Sequence, residues 1–72
     1  MKSITIETPF ITLAAFLKWA GISPTGGAAK EIIVAGNVTV NGVIVTQRGR
    51  KLYPGDRVGV AGLGEYSVLG DR

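Results

Sequence analysis

Val38-Thr39-Val40-Asn41-Gly42-Val43-Ile44-Val45 is the stretch on which the fold turns. Two β-branched triplets flank Asn-Gly, and a two-residue hairpin turn needs positive φ at both central positions. Asn and Gly tolerate that conformation best. The segment predicts a tight β-hairpin, with Asn41 as a turn residue.

Upstream, Gly36-Asn37 closes a predicted helix running from about Gly27 to Ala35. Its apolar residues Ala28, Ile32 and Ala35 would face the core and Lys30 the opposite side. Ser23-Pro24-Thr25-Gly26-Gly27 is a turn rich in capping residues. Before it, Thr12 is a plausible N-cap for a helix to about Ala20, where Leu13, Phe16, Leu17 and Ala20 recur at helical spacing. Lys18 points away from that face. Trp19 sits on its shoulder, where partial burial is expected, the alternative being an exposed aromatic available for stacking, and Gly21 is a natural stop. The alternating Ser3 to Glu7 segment reads as a strand ended by Pro9.

Downstream lies the basic loop Gln47-Arg48-Gly49-Arg50-Lys51, after which Leu52 returns to the core. Pro54-Gly55-Asp56 makes another turn. Val58-Gly59-Val60 and Glu65 to Leu69 read as strands joined by a tight loop at Gly62-Leu63-Gly64. The first and last strands are free to pair. The expected architecture is one α+β domain over residues 1–72, with two short helices packed on a small, mostly antiparallel sheet.

Composition narrows the chemistry. The 72 residues include neither histidine nor cysteine. That removes histidine acid–base catalysis, Cys–His or Ser–His nucleophile pairs and Cys/His zinc sites. The carboxylates Glu7, Glu31, Asp56, Glu65 and Asp71 are scattered singly, so neither a two-carboxylate enzyme nor a metal site is expected. No cofactor and no small-molecule substrate is implied. The apolar run from Phe10 to Ile22 is interrupted by Lys18 and is too short to span a bilayer, so no membrane role is expected and a cytoplasmic protein is the default.

The net charge is +3, and its distribution is uneven. Between Thr12 and Lys51, Lys18, Lys30, Arg48, Arg50 and Lys51 face only Glu31. A polyanion is the natural partner for such a surface. Arg48, Arg50 and Lys51 put three cations on one loop, and Gly49 lets its backbone come close to a ligand. The arginine fork suits bidentate phosphate contacts. The alternative is a solvated loop that only aids solubility. At the second helix, Thr25, Gly26 and Gly27 offer a helix N-terminus whose free amides, including that of Ala28, can meet a phosphate, with Lys30 one turn along. The plainer reading is a tight turn with Ser23 or Thr25 as cap. A nucleotide P-loop is not supported, because the G-K-[ST] ending is missing.

Five pieces in order then carry a resemblance: Phe16-Leu17-Lys18-Trp19-Ala20, Thr25-Gly26-Gly27-Ala28-Ala29-Lys30, Gly36 to Gly42, Arg48-Gly49-Arg50-Lys51-Leu52 and Pro54-Gly55-Asp56. Together they resemble the RNA-binding domain named after small-subunit ribosomal protein S-four, the αL motif, and within it a short stand-alone, YaaA-like branch linked to ribosomes. Thr12-Leu13 and Gly26-Gly27 stand where many members carry arginine. The resemblance implies a non-catalytic module for structured, ribosomal RNA, acting in ribosome assembly or translation, with ribosomal proteins as further contacts. Lys18, Thr25, Gly26, Gly27, Lys30, Arg48, Arg50 and Lys51 are the RNA-binding candidates. A protein-interaction adaptor whose basic loop meets an acidic protein partner is the rival reading.

Overall fold

The computed structural model describes residues 2–71. In chain order the elements are β1 (Lys2–Ile6), β2 (Ile11–Thr12), α1 (Leu13–Trp19), α2 (Gly26–Val34), β3 (Val38–Val40), β4 (Val43–Ile44), β5 (Lys51–Leu52), β6 (Arg57–Val60) and β7 (Gly64–Gly70). Five strands form a sheet ordered β1-β7-β6-β3-β4, and β2 pairs with β5 as a separate ribbon. Every pairing is antiparallel except β1 with β7, where the first and last strands run parallel. The expected α+β architecture is therefore present.

The hairpin forms where Asn-Gly places it. Thr39 lies opposite Ile44 and Val40 opposite Val43, while Asn41 and Gly42 have φ of 52° and 86°. Strand alternation then sorts the side chains. Val38, Val40, Val58, Val60, Tyr66 and Val68 are buried beneath Leu13, Phe16 and Leu17 of α1 and Ala29 and Ile33 of α2. Val45 leaves the ladder after β4 but stays in the core, and its N–H donates to the Val38 carbonyl at 3.0 Å.

Two sequence expectations need correction, and two short strands went unanticipated. The buried face of α2 is set by Ala29 and Ile33, not by Ala28, Ile32 and Ala35. Ala28, Ala29, Ile32 and Ile33 form an apolar band wide enough for two registers, and packing against α1 selects one of them. Ala28 and Ile32 are half-buried and Ala35 is the exposed C-cap residue. Trp19 does not pack; it is 70% exposed. Finally, β2 and β5 carry no sequence signal of their own, because two-residue strands are too short to show a period.

One network ties the two turn motifs together. Asn41 Nδ2 donates to Asp56 Oδ1 at 3.1 Å, Arg57 N–H donates to Asn41 Oδ1 at 2.9 Å, and Tyr53 N–H donates to Asp56 Oδ2 at 2.8 Å. Asn41 thus turns the hairpin and also holds the Pro54-Gly55-Asp56 turn in place. That double role joins the Asn-Gly and Pro-Gly-Asp turns, which lie well apart in the chain.

Candidate nucleic-acid interface

The basic loop is held by its backbone. Leu13 N–H donates to the Arg50 carbonyl at 2.8 Å, and Ala14 N–H donates to the Arg48 carbonyl at 3.1 Å. Two amides that α1 cannot satisfy internally are thereby met by the loop. Arg50 N–H closes the loop on the Gln47 carbonyl at 3.2 Å. The next residues enter the β2–β5 ribbon, where Thr12 opposes Lys51 and Ile11 opposes Leu52. All these bonds use main-chain atoms, so the side chains of Arg48 and Arg50 stay exposed. Among the described residues neither makes an ion pair. The Lys51 ammonium lies over the Phe10 ring, 4.8 Å from its centroid. This is a cation–π contact that fixes the direction of the side chain without neutralising it.

At α2, Thr25 is the N-cap: its backbone is extended and its Oγ1 accepts from Ala28 N–H at 3.1 Å. The expectation of three free amides is corrected by this bond, since only Gly26 and Gly27 remain in the helix's unsatisfied first turn. Ser23 does not cap. Its Oγ is buried and has no hydrogen-bond partner. Lys30 is exposed one turn into α2. Lys18 is exposed in the last turn of α1, where a cation also complements the helix dipole.

The candidate residues form two patches. Arg48, Arg50 and Lys51 gather at the N-terminus of α1. Thr25, Gly26, Gly27 and Lys30 belong to α2, which the chain reaches from the C-terminal end of α1, the end that also carries Lys18. The seven residues of α1, about 10 Å of rise, separate its two ends.

Glycine usage separates this surface from the rest of the fold. Gly42 and Gly55, with φ of 86° and 102°, sit where a side chain is strained. Gly26, Gly27 and Gly49 do not adopt positive φ. A Cβ at Gly26 or Gly49 would meet nothing within 4 Å, and at Gly27 only Thr25 Oγ1 at 3.9 Å. The fold does not require glycine at these three positions, all of which lie in the candidate patches. Sequence reading missed Phe10 and Tyr53, exposed aromatics beside Lys51; the short β2–β5 ribbon that brings them together gave no pattern to find them by.

A family model described as the S4 domain matches residues 4–69. A probable ribosome maturation protein, RlbA of Bacillus subtilis (strain 168), is 44% identical over 66 residues, spanning 92% of this chain and 93% of the relative. The match runs through both helices, the hairpin, the basic loop and the closing strands, and the chain belongs to the S4 domain family.

Proposed function

We propose that this protein is a non-catalytic module that binds structured ribosomal RNA and acts in ribosome assembly. The observation that carries the reading is the pairing of unneutralised cations with glycines the fold does not need. Glycine in a helix costs roughly 0.5–1 kcal/mol relative to alanine. Gly49 stands in the loop with ordinary φ and open space, and at Gly26 and Gly27 in α2 that cost has no return in backbone conformation or space. It does have one if a phosphate backbone approaches closely, because a bare main chain admits it. A-form RNA presents phosphates and 2′-hydroxyls more accessibly than base edges, which suits readout by cations on a rigid frame.

In this reading Arg48, Arg50 and Lys51 clamp phosphates from the α1 end. Gly26 and Gly27 offer amides, and Lys30 and Lys18 add charge from the α2 side. The S4 domain membership and the similarity to a ribosome maturation protein support RNA as the polyanion and the ribosome as the setting. The test is co-sedimentation with ribosomal particles before and after RNase treatment. Loss of the protein from the particle fraction on RNase digestion is expected. Retention through digestion would favour an adaptor docked on an acidic protein.

A further inference from the structure

We propose that Tyr53 and Phe10 form a stacking site for one unpaired nucleotide beside the basic loop. The proposal rests on the RNA reading and names what that surface takes in addition to a duplex. The β2–β5 register places Ile11 against Leu52 and Thr12 against Lys51, so its antiparallel continuation sets Phe10 against Tyr53. Alternation along the ribbon turns Leu52 into the core and leaves Lys51 and Tyr53 on the outer side. The two rings are 6.1 Å apart between centroids and inclined at 46°; Phe10 is 38% and Tyr53 50% exposed.

Two half-exposed aromatics with a lysine on one of them are more than scattered surface hydrophobes. Their backbones are fixed from both sides. Tyr53 N–H donates to Asp56 Oδ2 and the Tyr53 carbonyl accepts from Asp56 N–H at 3.0 Å, while Thr8 Oγ1 donates to the Phe10 carbonyl at 2.7 Å. The rings are therefore presented on a preorganised frame. Arg50 and Lys51, two to three residues before Tyr53 in the chain, supply the phosphate contacts that a base stacked on the ring would need on its 5′ or 3′ side. Aromatic faces next to cations hold single-stranded bases irrespective of base identity. A fully paired stem has no base free to use them. The ligand of this surface is therefore a helix interrupted by an unpaired nucleotide, such as a bulge or junction.

The experiment compares two stem-loop RNAs of the same stem sequence. One carries 2-aminopurine as a single bulged nucleotide and the other carries it paired; each is titrated with the native chain and with Tyr53→Leu, Tyr53→Phe and Phe10→Leu. The leucine variants keep apolar volume and the backbone bonds, and a thermal melt checks that each is folded. The native chain is expected to prefer the bulged RNA by about tenfold, the scale of one base stack, with a change in 2-aminopurine emission. Tyr53→Leu loses that preference and keeps its affinity for the paired stem, Tyr53→Phe retains both, and Phe10→Leu weakens the preference. Equal binding of the two RNAs by the native chain, or a preference that survives in folded Tyr53→Leu, overturns the stacking site and leaves the duplex reading intact. Absence of binding to either RNA at low salt overturns both.

Discussion

Around Asn41 the side chains make the bonds, whereas in the basic loop the backbone makes them. Asn41 and Asp56 use both ends of an amide and both oxygens of a carboxylate to lock two turns against each other. The loop from Gln47 to Arg50 is anchored by carbonyls given to the first amides of α1, and its guanidinium groups reach into solvent. The glycines divide in the same way. Gly42 and Gly55 serve backbone conformations, while Gly26, Gly27 and Gly49 adopt ordinary φ with room for a methyl group. In a chain of 72 residues a side chain that holds the fold is not free to hold a ligand, and these two regions split the tasks.

If that division is right, the two regions respond oppositely to mutation. The largest effect on stability is expected from Asp56→Ala, which strips acceptors from Asn41 Nδ2 and Tyr53 N–H. A loss of about 2 kcal/mol in urea unfolding is expected, the scale for hydrogen bonds to a charged group. A change below about 0.5 kcal/mol would break the comparison, since that is the range of an ordinary surface substitution. Thr25→Ala removes an N-cap and should cost about 1 kcal/mol by the same measurement.

Gly26→Ala, Gly27→Ala and Gly49→Ala sharpen the contrast. The two helical substitutions are expected to raise stability by up to roughly 0.5–1 kcal/mol each, and Gly49→Ala to leave it unchanged or slightly higher. All three should weaken RNA binding in a filter or anisotropy titration. Stabilisation with undiminished binding would remove the argument from glycine. Lys30→Ala is the mildest change. It should leave unfolding unaltered and lower the salt slope of binding by about 1, as expected for one lost phosphate contact.

Much of the fold was legible because its signals are local. Asn41-Gly42 specifies its own turn, Thr12 and Thr25 cap the helices that follow them, and Leu13, Phe16 and Leu17 keep helical period. What sequence could not settle depended on packing between elements. The apolar band of α2 allowed two faces and α1 chose Ala29 and Ile33; Trp19, on the shoulder of α1, is exposed. The candidate cations were readable as a cluster in the chain. That two patches would form, and that Phe10 and Tyr53 would stand beside one of them, needed the β2–β5 pairing, which is only two residues long.

The measurement that bears most directly on the division between fold and ligand surface is a salt-series titration of ribosomal RNA with the native chain and an Arg48→Ala, Arg50→Ala, Lys51→Ala triple variant, alongside urea unfolding of both. Three lost phosphate contacts should make the slope of log K against log salt shallower by about 2 to 3, with most of the affinity gone and the unfolding midpoint unchanged. A triple variant that binds RNA with the native affinity and slope, or that fails to fold, would contradict the assignment of these side chains to the ligand and not to the fold.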